Sequence, residues 1–146
     1  LARLRCADLA LDVLPYGSHT TGSDALWCGV PLLTLTGSTF AGRVAGSLLR
    51  SVGLPELITS SLADYQALAL ELASKRDRLA EFRDRLAANR RSCALFDTER
   101  FRRHLESAYE TMWQRFVRGE SPAAFDVEAL DESYRVRLLL PAVPAV

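Results

Sequence analysis

The sequence predicts an α/β fold: a parallel sheet with helices on both faces, followed by a helical C-terminal extension. Three observations predict it. Short apolar stretches at 9–14, 30–35 and 56–60 alternate with two helix-like segments. Each of those segments runs into a glycine, Gly29 or Gly53, suited to a helix C-terminus. From residue 61 to 117 the apolar residues recur at helical spacing. Strand and helix in alternation imply parallel strands joined by right-handed crossovers, which is half of a Rossmann-like layer.

The elements follow in order. "LARLRCAD" reads as the end of a helix, and "LALDVL" (9–14) as a buried strand, apolar except for Asp12 and closed by Pro15. Residues 16–21 form a polar loop. A helix begins near Thr20, runs through Ala25, Leu26 and Trp27, and is capped by Gly29. "VPLLTL" (30–35) is the second strand, and "FAGRVAGSLLRSVG" the second helix. "ELITS" (56–60) is the third strand. Ser61 with Asp64 three residues on resembles a capping box, with Asp in place of Glu or Gln. In the helix that follows, Leu62, Tyr65, Leu68, Ala69 and Leu72 share one face. A further helix over 75–91 turns Leu79, Phe82 and Leu86 inward. The last, over 98–117, has an apolar face of Phe101, Leu105, Ala108, Tyr109, Met112, Trp113 and Phe116. The expected division is a lobe over 1–118 and a loosely docked tail over 119–146, with one strand at "YRVRLLL" (134–140).

Composition narrows the function. The chain has 146 residues, 49% of them hydrophobic, which suits one folded domain and not a disordered chain. A formal net charge of zero gives no general attraction to nucleic acid or to anionic membrane. No apolar run is long enough to span a bilayer. Cys6, Cys28 and Cys93 are odd in number and far apart, so a disulfide framework or zinc site is not expected; a reducing, cytoplasmic setting fits. The first residue is Leu with no signal-like segment before it, and the chain reads as part of something longer.

The informative stretch is "PYGSHTTGSDALWCGVP" (15–31). In parallel sheets ligands bind beyond the carboxyl ends of strands, where loops enter helices, and residues 15–24 lie at such a place. A helix starting near Thr20 leaves its first backbone N–H groups unpaired, and with the helix dipole these favour an anion. Thr20 and Thr21 add hydroxyl donors, Gly22 lets a ligand approach the backbone, and His19 can donate to phosphate or pack against a sugar. Asp24 repels phosphate but accepts from the hydroxyls of a ribose. Phosphate donors beside a diol acceptor describe a nucleoside diphosphate. The plain alternative is an ordinary helix cap made of Thr, Ser and Asp. Neither GxGxxG nor GxxxxGK[ST] is present, which excludes a P-loop.

"HTTGSDALWCGVP", "FAGRVAGSLL" and "GLPELI" resemble, in this order, the C-terminal catalytic region of the O-linked N-acetylglucosamine transferase (SPINDLY-like) family. The resemblance covers about residues 1–117. It implies the C-terminal lobe of a GT-B glycosyltransferase preceded by tetratricopeptide repeats. It further implies Thr20 and Thr21 on the diphosphate of a UDP-sugar with His19 beside them, Asp24 on the ribose, and Arg3 near the uracil pocket. Two departures stand out. Family members commonly carry Gly-Glu-Thr where this chain has Gly37, Ser38 and Thr39, so Arg43 lacks a nearby acid. No residue matches the lysine expected to neutralise the leaving diphosphate; the only lysine is Lys75.

The resemblance implies transfer of N-acetylglucosamine, or a related sugar, from UDP to Ser or Thr hydroxyls of an acceptor protein. This piece would supply the diphosphate site, with the N-terminal lobe and the repeats lying elsewhere in the polypeptide. The resemblance also implies metal independence, with which the lack of a DxD agrees, and no catalytic acid or base is assignable. Alternatives are a GT-B transferase of another nucleotide sugar, or a non-catalytic interaction module using Arg83, Arg85, Arg90, Arg91, Arg100, Arg102 and Arg103. Acids interleave with those arginines, so a charge-paired, solvated face is the simpler reading, without nucleic acid.

Overall fold

The computed structural model describes residues 1–128. The strand expected at 134–140 lies outside them. The chain divides into two compact units, Leu1–Asp97 and Thr98–Val146.

The first unit opens with a 3-10 turn, Ala2–Cys6, and holds a three-stranded parallel sheet in the order β1 (Ala10–Leu11), β2 (Leu32–Leu35), β3 (Ile58–Thr59). Ala10 pairs with Leu32 and Thr34 with Ile58. Helices α1 (Thr20–Trp27) and α2 (Ala41–Ser51) are the crossovers. They touch each other and pack on β2. Helix α3 (Leu62–Ser74) packs against β2, β3 and α4 (Arg76–Asn89).

Both crossover helices stop as their glycines dictate. At the end of α1, Val30 N–H donates to Ala25 O at 2.9 Å and Gly29 N–H to Leu26 O at 3.1 Å, with Gly29 at φ 82°. At the end of α2, Leu54 donates to Leu49 O and Gly53 to Arg50 O, with Gly53 at φ 76°. Both are Schellman closures, in which the αL residue costs least as glycine. Val30, Leu54 and the core side chains behind them are then buried: Leu26, Leu32, Leu49, Val52, Leu57, Leu72, Phe82 and Leu86. Each such leucine contributes about 1.5–3 kcal/mol by leaving water.

Several expectations need correction. The first strand is shorter than 9–14: Val13 and Leu14 are exposed. Ladder pairing reaches only Asp12, whose N–H donates to Leu33 O, and there the carboxylate diverts the chain into a loop. The third strand shrinks because Pro55–Leu57 forms a 3-10 turn. Ser61 does cap α3, its Oγ accepting from Asp64 N–H at 3.1 Å. Asp64, one methylene shorter than Glu, bonds the Ser61 hydroxyl at 2.6 Å; among the described residues the reciprocal bond to the Ser61 N–H is not made. Leu62, in the first turn of α3, is exposed rather than inward.

The second unit is built on α5 (Thr98–Val117), none of whose residues is fully buried. Phe101, Tyr109, Met112, Trp113 and Phe116 of its apolar face are exposed. The division between the two units falls after Asp97. Residues 119–125 fold back on the last turn of α5: Gly119 (φ 72°) closes the helix, Arg115 and Arg118 pair with Glu120, and Arg115 lies 6.0 Å above the Phe125 ring. Among the described residues, no helix is long and apolar enough to cross a membrane.

Candidate functional site

The loops after β1 and β2 meet at one edge of the sheet. Gly17 is buried in the first, and a Cβ there would lie 3.0 Å from both Ala41 O and Asp12 Oδ2. Only a bare Cα passes between α2's first turn and that carboxylate. The second loop closes on itself by a similar approach: Gly37 N–H donates to Gly42 O at 2.9 Å, and a Cβ on Gly42 would sit 2.9 Å from the Gly37 Cα. Thr39 Oγ1 accepts from Gly42 N–H at 3.1 Å, so the Thr of the altered Gly-Ser-Thr segment caps α2. Arg43, with no acid paired to it among the described residues, donates to Ser38 O.

Helix α1 opens at this edge with His19 as its N-cap. The first intrahelical bond runs from Ser23 N–H to His19 O at 3.0 Å. Among the described residues, the N–H groups of Thr20, Thr21 and Gly22 donate to no protein acceptor, and no side chain caps them. Ser18, the hydroxyl residue just before the N-cap, donates instead to Asp12 Oδ1 at 2.6 Å. The Thr20 and Thr21 side chains are exposed, with no hydrogen bond among the described residues. The first turn carries no acid to offset the positive helix end, worth about half a unit charge. Asp24 follows one turn later on the face of Thr20 and Thr21, half-buried and unpaired among the described residues. The helix thus presents three amides, two hydroxyls and, beyond them, one carboxylate.

His19 packs between two rings. Tyr16 stacks on it at 5.1 Å and 19°, and Phe40 meets it edge-on at 6.0 Å. Its Nε2 is buried and has no hydrogen-bond partner among the described residues. The bare Cα of Gly22 faces inward, whatever its amide meets. It is buried, and a Cβ on it would meet Ser18 Cβ at 3.0 Å, Leu32 Cδ2 at 3.1 Å and Leu48 Cδ1 at 3.4 Å. Its missing side chain lets α1 sit close on β2 and α2, so packing explains it. The structure joins Arg3, exposed in the first 3-10 turn, to none of these residues by a hydrogen bond or ion pair among the described residues.

Asp12 organises this loop, a role that its place in the sequence does not reveal. The residue is 7% exposed. Its Oδ1 accepts from Val13 N–H (3.0 Å), Ser18 N–H (2.6 Å) and Ser18 Oγ (2.6 Å), and its Oδ2 accepts from Thr34 Oγ1 (2.6 Å). Its carbonyl accepts from the Tyr65 hydroxyl of α3 at 2.8 Å. Burial first, and then the Asp12 charge, hold the Tyr65 phenol above its ordinary pKa, so it stays a donor. The available signal was a carboxylate inside an apolar strand, which is costly unless fully bonded.

The arginines are largely engaged, some with acids on other elements and some with helical neighbours. Arg83 pairs with Asp8 and Arg85 with Glu56, each at 2.7 Å across different elements. Arg90 donates to Trp27 O at 3.0 Å, and Arg102 bridges Glu99 and Glu106. Lys75 pairs with Glu71 at 2.9 Å.

Residues 1–105 match the description of glycosyl transferase family 41. The chain belongs to that family. A probable UDP-N-acetylglucosamine–peptide N-acetylglucosaminyltransferase of Arabidopsis thaliana, SEC, is 42% identical over 83% of this chain and 12% of its own length. A SPINDLY protein of Hordeum vulgare with the same description is 42% identical over 84% of this chain and 13% of its own. Among solved structures, a lysine-to-methionine mutant of the Thermobaculum terrenum O-GlcNAc transferase superposes with a TM-score of 0.70 at 41% identity. It covers 78% of this chain and 23% of that one. This family 41 chain therefore spans about an eighth of the length of these curated relatives, with the α/β architecture of the solved transferase.

Proposed function

We propose that this family 41 chain holds the diphosphate of a UDP-sugar in a transferase that moves N-acetylglucosamine, or a related sugar, onto Ser or Thr hydroxyls of proteins. The observation that carries the reading is the open start of α1, where three amides unpaired among the described residues stand beside two exposed threonine hydroxyls, with no acid in the first turn. The relatives' described activity supports the donor and the acceptor class.

The chemistry follows from charge. Breaking the bond between the sugar and UDP leaves the negative charge on the diphosphate. Donors already fixed in place lower that barrier, because they need not reorganise as the charge grows. The α1 amides and the Thr20 and Thr21 hydroxyls are such donors. His19 lies beside the phosphates, its ring held by Tyr16 and Phe40. Asp24, one turn on, accepts from the ribose hydroxyls. Arg3 is assigned to the uracil side by resemblance alone. In this reading the diphosphate charge is met by protein donors, without a metal. The acceptor-side groups, the N-terminal lobe and helical repeats of 34 residues are assigned to the rest of the polypeptide, in the cytoplasm.

Nucleotide discrimination tests the reading. In the full-length protein, UDP should bind at least about tenfold more tightly than ADP or GDP, a difference worth one base-specific hydrogen bond. Equal affinity for all three would remove the case for uridine and favour the transferase of another nucleotide sugar.

A further inference from the structure

We propose that Asp12 is a positioning residue for the α1 amides: by pinning Ser18 it sets the direction in which the amides of Thr20, Thr21 and Gly22 point. The proposal rests on the reading of α1 as the diphosphate holder.

Three features separate Asp12 from an ordinary buried carboxylate. First, no Arg or Lys neutralises it among the described residues; its four donors are two amides and two hydroxyls. Second, those donors lie on both sides of the site. Thr34 belongs to the central strand, while Ser18 immediately precedes the N-cap His19. One oxygen is therefore tied to the rigid sheet and the other to the root of α1. Third, beyond the stack of Tyr16 on His19, the loop between them has little packing. Residues 13–16 are exposed, and only Gly17 is buried, with its bare Cα against Ala41 O and Asp12 Oδ2. With that linkage lost, the sheet keeps its leucine core but Ser18 loses both of the bonds that orient it. The amides two to four residues further on then sample several directions. A charge-directed site depends on donors held to within a few tenths of an ångström, so such freedom weakens binding before it unfolds the protein.

The chemistry also says which substitution should rescue. Asn can keep its oxygen toward Ser18 and Val13 and turn its amide toward Thr34 Oγ1, which can accept as well as donate. Ala can do neither. Ser18→Ala removes the hydroxyl bond while keeping the backbone one.

The test measures UDP affinity and melting temperature together in the full-length protein, for wild type, Asp12→Ala, Asp12→Asn, Ser18→Ala and Asn89→Ala. Asn89 donates to Val52 O at 3.0 Å beyond the end of α2 and serves as a structural control. Asp12→Ala should raise the UDP Kd about tenfold or more, the size of one hydrogen bond to a charged group. Asp12→Asn should stay within about threefold, and Ser18→Ala should raise it roughly threefold to tenfold at near-native melting temperature. Asn89→Ala should lower the melting temperature with Kd unchanged. If Asp12→Ala does not fold, Ser18→Ala and Asp12→Asn still decide. Wild-type affinity in Ser18→Ala, or a loss of affinity in Asn89→Ala matching its loss of stability, would overturn the proposal. Failure of the wild type to bind UDP would overturn the diphosphate reading and this inference with it.

Discussion

Thr20→Ala combined with Thr21→Ala should cut kcat/KM for the UDP-sugar at least about a hundredfold, while the protein stays folded. One fixed donor to developing negative charge is worth about 3 kcal/mol, or roughly two powers of ten. Two adjacent donors act on the same diphosphate, so their losses will not add fully. The backbone amides remain in the double variant and keep some binding. Stability should move by no more than about 0.5 kcal/mol, because both side chains are exposed and make no hydrogen bond among the described residues. Steady-state kinetics beside a thermal melt separates the two effects. An unchanged kcat/KM would show that these hydroxyls do not face the leaving group.

Leu32→Ala should produce the largest loss of stability, about 2–5 kcal/mol, or roughly 10–20 °C in melting temperature. Leu32 is 1% exposed, sits on the central strand, and belongs to the main core cluster. Its Cδ2 lies just beneath Gly22. Removing it opens a cavity under the helix that carries the amides. Close-packed interiors refill such space only in part, so α1 should settle inward at the cost of its alignment. UDP affinity should therefore fall along with stability, whereas a core truncation under α4, such as Leu86→Ala, should affect stability alone. Chemical denaturation with parallel UDP titrations checks the pair. A Leu32→Ala protein as stable as wild type would contradict the packing account.

Much of the fold was legible because its signals are local. Gly29 and Gly53 mark two helix ends through a backbone geometry that glycine adopts most readily, and both stand at positive φ. Ser61 announces α3 through a bond to a residue three places on. Leu79, Phe82 and Leu86 show the inner face of α4 by spacing alone. What was not legible depends on distant residues. Asp12 takes its partners from 6, 22 and 53 residues away, and no window of sequence connects them. The exposure of Val13 and Leu14 follows from that diversion. The packing of Gly22 was hidden for the same reason: in sequence it neighbours a polar loop, while in space a side chain there would meet Leu32 and Leu48. The partners of Arg83 and Arg85 likewise come from outside their helix, 75 and 29 residues away.

The site was legible where chemistry and placement coincide. A strand followed by a loop and then a helix beginning with two threonines predicts donors at a helix start. The direction in which those donors face depends on Ser18, Gly17 and Asp12, which composition does not reveal.

Amide chemical shifts test the donors at the start of α1 most directly. Adding UDP to the isotope-labelled full-length protein should shift the 1H–15N signals of Thr20, Thr21 and Gly22 most, together with Asp24, in a saturable manner. Inorganic pyrophosphate should move the first three and leave Asp24 nearly still. Saturating shifts confined to other residues, with these three signals unmoved, would contradict the diphosphate reading.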